Sequence, residues 1–306
     1  MEPTRDIPKE LLNNASDFNN SFFKRFKLRK GDKPLIMDNG VVKDYLFPTF
    51  YGNVTCAMAI FFCSYDKVEK LVQERLGSMV KPVKMGKGRS LIAFSNYEYK
   101  KVLGVRPYNE IATAIPVMVN PGINNPPVLP MVMNCFKHFG YYIADMPVTS
   151  EENTQRGHKI WGLPKTTRTI DIYHENNNCF TEAKEADGST YLKIRVPKIG
   201  KAEDFDVSSY LYSHHEGRMK RSQTNFKGTF QMNKHLNLLF KKGVVPETPY
   251  LEIGNTELGH FYKNLEIEPH PFQLRYAENL SSCFDLAEQK VPSWFPSGEL
   301  KGVKND

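Results

Sequence analysis

No stretch of this sequence approaches the roughly 20 apolar residues of a membrane span. The opening "MEPTRDIPKELLNN" carries charges where a secretory leader needs a continuous apolar region. Cysteine is scarce: Cys56, Cys63, Cys135, Cys179 and Cys283 are odd in number, and no two have CxxC spacing. Such a set argues against a disulfide framework or a thiolate zinc site and for a reducing compartment. Histidine offers no metal pattern either. His214 and His215 are adjacent and would point to opposite faces of a strand, while His138, His158, His174, His235, His260 and His270 form neither HExxH nor HxH. GxGxxG, the P-loop and the GxSxG elbow are also missing, which leaves nucleotide folds and serine hydrolases unsupported. The expectation is a soluble, cytoplasmic protein with no metal.

What is present is enough to build a core. The chain has 306 residues, 40% of them hydrophobic and 12% aromatic, sufficient for one large domain or two small ones. Its formal charge of +7 is spread along the chain rather than gathered in a tail, so it favours anionic small molecules or surfaces only weakly. Residues 1–47 read as a polar, loop-rich N-terminal arm with a helical turn near Lys9 to Leu12, and residues 48–306 as a single domain. Within the arm, "FFKRFKLRK" (22–30) interleaves aromatics with cations. The expected arrangement docks the phenylalanines on the body and leaves the charges in water. Neither that segment nor "GRMKR" (217–221) is expected to serve nucleic acid or membrane binding.

The pattern of the remainder is mostly β. "TCAMAIFFC" (55–63) reads as a buried strand, followed by a helix capped by Ser64, carrying Val68, Leu71, Val72 and Leu76 at helical spacing and stopped by Gly77. Strands are expected at 90–99, 109–119, 141–148, 166–173 and 190–196, with "DG" (187–188) closing a hairpin. Serial pairing of this kind implies antiparallel sheet. A short helix at "TSEENTQRG" is expected from the capping-box spacing of Thr149 and Glu152, with Gly157 ending it. Scattered strands over about residues 198–265 and a helix near "MNKHLNLLFKKG" (232–243) complete the reading.

One segment points to chemistry. In "RGHKIWGLPKTTRT" (156–169), Lys165 follows Pro164 between an apolar stretch and a strand start. A lysine held in a water-poor pocket loses solvation of its charged form, so its pKa falls and a neutral, nucleophilic amine becomes accessible near neutral pH. The segment "MPVTSEENTQRGHKIWGLPK" (146–165) resembles the signature of the acetoacetate decarboxylase family. "YNEIATAIPV" (108–117) is similar to that family's glutamate-bearing strand, and the order of the motifs agrees over about residues 50–200.

The resemblance implies an α+β, predominantly antiparallel β fold, a cone-shaped β-barrel of the acetoacetate decarboxylase-like type with a few short helices, and a homo-oligomer. It makes Lys165 the Schiff-base residue and Glu110 the partner carboxylate, with Trp161, Leu163 and Pro164 walling the pocket. The implied partner is a small-molecule keto acid or related carbonyl compound, decarboxylated without a cofactor. Schiff-base aldol or dehydration chemistry and a non-catalytic ligand-binding barrel are the alternatives. Three positions depart from the family pattern. Thr166 stands where a second lysine is usual, Ser95 lies near the place of a second glutamate, and no arginine occurs between Tyr51 and Cys56. Arg168, His158 and Lys159 are the nearby cationic candidates, although at period two Arg168 points opposite to Lys165.

Overall fold

Strands long enough to be covered on both faces organise this chain. The computed structural model describes residues 13–121, 138–288 and 292–296. In chain order the main strands are β1 (Thr49–Ser64), β2 (Arg89–Val102), β3 (Tyr108–Val119), β4 (Phe139–Val148), β5 (Lys165–Thr167), β6 (Thr169–Glu175), β7 (Asn178–Lys184), β8 (Thr190–Pro197), β9 (Lys201–His215), β10 (Arg218–Lys234), β11 (Leu251–Ile253) and β12 (Gln273–Ala287). Seven of them close a barrel in the order β1-β2-β3-β4-β9-β10-β12 and back to β1. All neighbours are antiparallel except β4 and β9, which run parallel over Tyr141–Tyr142 and Leu211–Tyr212. A second sheet, β6-β7-β8-β11, packs against the outside.

Alternation explains the apolar runs. On β1 to β3 one parity of side chains faces the second sheet and helix α1 (Tyr65–Leu76), where Phe61, Phe94, Ile111 and Ile115 meet Val68, Val72, Tyr191 and Ile194. Each such burial contributes about 1.5–3 kcal/mol. The other parity faces inward and includes Ala93, Ser95, Ala112 and Ala114. Small residues there do not fill the barrel, so an interior cavity is left. Because both faces are covered, the strands read as continuous apolar runs rather than as alternating ones.

The arm docks as its composition implies. Phe18, Phe22 and Phe23 are buried against Phe50, Leu103 and Cys283, while Arg25 and Arg29 pair with Asp206 and Asp285 at the surface. The expected turn at Lys9 to Leu12 lies outside the described residues.

Five local expectations are corrected. The helix before Lys165, α2 (Glu151–Arg156), is capped by Ser150 rather than Thr149: the Ser150 hydroxyl accepts from the Asn153 amide. It does not stop at Gly157 but continues as a wider π turn through Trp161 and ends at Gly162, whose φ of +64° is left-handed. The strand expected at 166–173 breaks at Arg168, because β5 pairs parallel with β4 in the barrel sheet whereas β6 joins the second sheet. Near residue 232 there is no α-helix. β10 runs to Lys234 and only a short 3-10 turn, Leu236–Leu239, follows, so of the apolar residues read as helical Met232 belongs to the strand and Leu236, Leu238 and Leu239 to the turn. Of the scattered strands expected between about 198 and 265, those up to residue 234 are one long hairpin, β9 and β10, paired from Lys201–Met232 to His215–Arg218. Among the described residues no helix is long and apolar enough to cross a membrane.

Candidate active site

The backbone around Lys165 is arranged to bring its side chain through a narrow gap. After the π turn, Gly162 reverses the chain, the Leu163 amide donates to the Gly157 carbonyl at 3.0 Å, and Lys165 enters β5 opposite Met146. A Cβ placed on Gly157 would lie 2.5 Å from Lys165 Cδ and 2.6 Å from Cγ. The glycine that ends no helix is therefore the floor of the slot through which the lysine stem passes.

Inside the barrel Lys165 is 6% exposed and its Nζ donates to Glu110 Oε2 at 2.5 Å. Glu110 is 3% exposed on the inward parity of β3, and its Oε1 accepts from the Tyr99 hydroxyl at 3.2 Å. The Tyr108 ring lies 5.6 Å from Nζ, and Tyr51 and Tyr108 pack on Tyr99 at 4.5 and 4.9 Å. Burial is the main force on Lys165, pushing its pKa below the ordinary lysine value. Glu110 opposes this by favouring the ammonium, and the nearby Arg156 guanidinium adds to the lowering.

Arg156 supplies a cation that the reading of the sequence did not assign. It is 1% exposed, donates to Asn153 Oδ1 at 2.9 Å and Thr49 Oγ1 at 3.0 Å, and sits 4.4 Å over the Tyr45 ring. Its Nε has no hydrogen-bond partner, and among the described residues no carboxylate pairs with it. The signal was present in the spacing: Asn153, Arg156 and Ile160 fall on one helical face.

A cavity of about 660 Å³ opens from this cluster and runs along the barrel interior. Trp161 and Leu163 line it, the indole being fixed by its Nε1 donating to the Asp285 carbonyl and by packing on Phe284. Pro164, Thr166 and Arg168 are not among its lining residues. Pro164, together with Leu163, borders a second cavity of about 600 Å³ beside His158, His214 and His215. Thr166 is half-buried on the parity of β5 opposite to Lys165, and Arg168 sits at the corner between β5 and β6, donating to the Thr167 carbonyl. His158 and Lys159 are exposed, and Lys159 pairs with Asp38. Arg275, also unassigned from the sequence, faces the cavity from β12. Among the described residues no three metal-ligating side chains cluster.

A family model described as acetoacetate decarboxylase matches residues 33–216. No curated protein matches the sequence. Among solved structures the chain is similar to an acetoacetate decarboxylase from Legionella pneumophila, with a TM-score of 0.54 at 12% identity over 79% of this chain and 86% of that one. A second acetoacetate decarboxylase gives 0.52 at 14% identity over 79% and 88%. The enduracididine biosynthesis enzyme MppR, in complex with pyruvate, gives 0.52 at 10% identity over 78% and 90%. At these identities the likeness is one of fold.

Proposed function

The chain belongs to the acetoacetate decarboxylase family, and from that premise we propose that it is a cofactor-independent lyase that forms a Schiff base between Lys165 and a keto acid and decarboxylates it. The observation that carries the reading is the pairing of a buried amine with a buried carboxylate, Lys165 Nζ to Glu110 Oε2 at 2.5 Å, at the end of a largely apolar cavity.

The chemistry follows from the two groups. The neutral Lys165 amine adds to the ketone carbonyl, and water leaves to give a cationic C=N. When a carboxylate sits β to that carbon, the carbon–carbon bond breaks, carbon dioxide departs, and the bonding pair moves into the iminium to give an enamine. Protonation at carbon and hydrolysis return the ketone product and the free amine. Glu110 is within reach to take and return protons at Nζ. Arg156 makes the amine easier to deprotonate, the work a neighbouring ammonium does where the motif has two successive lysines, so Thr166 does not remove the means of activation.

A second reading, aldol condensation or dehydration through the same enamine, is supported by volume, because about 660 Å³ has room for a second carbonyl compound beside a small keto acid. Borohydride reduction in the presence of candidate keto acids tests both. A mass increase of one reduced adduct located at Lys165 and lost in Lys165→Ala is expected. No adduct with any keto acid or aldehyde would sink the Schiff-base reading.

A further inference from the structure

The wall opposite Lys165 carries a second guanidinium with no assigned task. In the seven-stranded barrel β12 lies three strands from β3 in one direction and four in the other, so Arg275 and Glu110 stand on opposite walls. Arg275 pairs in register with Met58, Met58 with Ser95, and Ser95 with Ala112, one inward position along from Glu110. It is half-buried, faces the cavity, and among the described residues donates only to Gln273 Oε1, at 2.8 and 3.2 Å, with the Phe205 ring 5.3 Å away. Among the described residues no carboxylate pairs with it. The carboxylate that influences it most, Glu203, is held by Lys234 at 2.8 Å. Between the two poles the lining is aromatic and aliphatic: Tyr97, Phe226, Tyr141, Met58 and Phe230.

A planar fork with free donors, aimed into a cavity and lacking an internal acid, suits a carboxylate. We infer that Arg275 anchors a carboxylate of the substrate remote from the reacting carbonyl, so that the barrel takes a carbonyl compound with a ring-sized apolar body and an anionic group at the far end. This rests on the Schiff-base reading for where the carbonyl sits, and it deepens that reading by naming a substrate class. A remote carboxylate is retained through the reaction, so it holds the molecule in place while a different bond breaks at Lys165. Arg275 lies beyond residues 33–216, the span that the family model matches.

The test separates anchoring from Schiff-base formation. Calorimetric binding of 4-isopropylbenzoate, which has no carbonyl to condense, is compared with 4-isopropylbenzamide, its neutral near-isostere, on the wild type, R275Q, R275K and R156Q at fixed ionic strength. The wild type is expected to prefer the carboxylate by about tenfold or more, the scale of one charge-assisted hydrogen-bonded pair. R275Q should lose that preference, while R275K keeps part of it and R156Q most of it. An R275Q protein with an unchanged thermal midpoint and an intact preference overturns the inference, as does a preference lost in R156Q instead. If R275Q does not fold, R275K carries the comparison, and a wild type that binds acid and amide alike overturns the inference without any variant. Borohydride trapping of 4-acetylbenzoate at Lys165 is read in parallel. Absence of adduct there counts against the Schiff-base reading, while the benzoate binding still reports on Arg275.

Discussion

Replacing Gly157 with alanine sets two effects against each other. Gly157 has helical dihedrals, φ −57° and ψ −50°, so alanine needs no strained backbone and by helix propensity alone would stabilise the turn by about 1 kcal/mol. Against this, the added Cβ falls 2.5 Å from Lys165 Cδ, 2.6 Å from Cγ and 3.1 Å from Cβ, whereas carbon atoms sit comfortably at about 3.5–4.0 Å. The clash is with the stem close to the backbone, not with a free end that can swing aside. Overpacking of this kind costs about 1–3 kcal/mol, so G157A should be destabilised by about 1 kcal/mol net, a thermal midpoint shift of roughly 2 °C in a chain of this size. The effect on chemistry is expected to be larger. Moving Nζ by about 1 Å from its place beside Glu110 corresponds to a loss of about 100-fold in reactivity. The assay is the rate of borohydride-trapped adduct at Lys165, with G86A as control, since a Cβ there meets nothing within 4 Å. A G157A protein that traps ketone at the wild-type rate would refute the idea that this glycine exists to seat the lysine.

Further expectations concern the same cluster and its supports. The trapping rate should rise with pH as Lys165 loses its proton, with a midpoint below the ordinary lysine value. R156Q removes a cation that disfavours the ammonium and should raise that midpoint, whereas E110Q removes an anion that favours it and should lower the midpoint while also reducing the plateau; a midpoint unmoved in both variants contradicts the electrostatic account. G162A should destabilise by about 3 kcal/mol or more, because φ is +64° and the new Cβ would lie 2.2 Å from the His214 carbonyl oxygen; chemical denaturation measures it. F23A should cost about 3 kcal/mol and expose the arm to limited proteolysis, since Phe23 is buried between Phe18, Phe22 and Phe50. An arm as protease-resistant as the wild type's would mean that other contacts hold it.

Much of the site was legible where chemistry is local. Lys165 and Glu110 stand 55 residues apart in sequence, and the motif containing each was readable on its own. Lysine after Gly-Leu-Pro at a strand start and glutamate at the head of an apolar strand are patterns of neighbouring residues, and the fold brings the two side chains together. Gly157 was legible as a special position and misread as a stop. Its reason is tertiary, a lysine stem passing over it eight residues later, and no helix-ending rule contains that. Arg168 illustrates the opposite error. Near in sequence to Lys165, it is carried away at the corner where the chain leaves the barrel for the second sheet.

The sequence by itself determined the strands that are buried on both faces, the helix behind β1 and the hairpin at "DG", and singled out Lys165 as the candidate amine, because each depends on side-chain periodicity or on a short motif. Only the tertiary structure decided which polar residues face inward. In β12, "QLRYAENL", Gln273 and Arg275 alternate with Leu274 and Tyr276, as on a strand with one wet face and one dry one. Barrel closure reverses that meaning. The polar parity points into the cavity and the apolar parity into the packed core outside it, so a guanidinium that the sequence would assign to solvent stands across an enclosed space from Lys165.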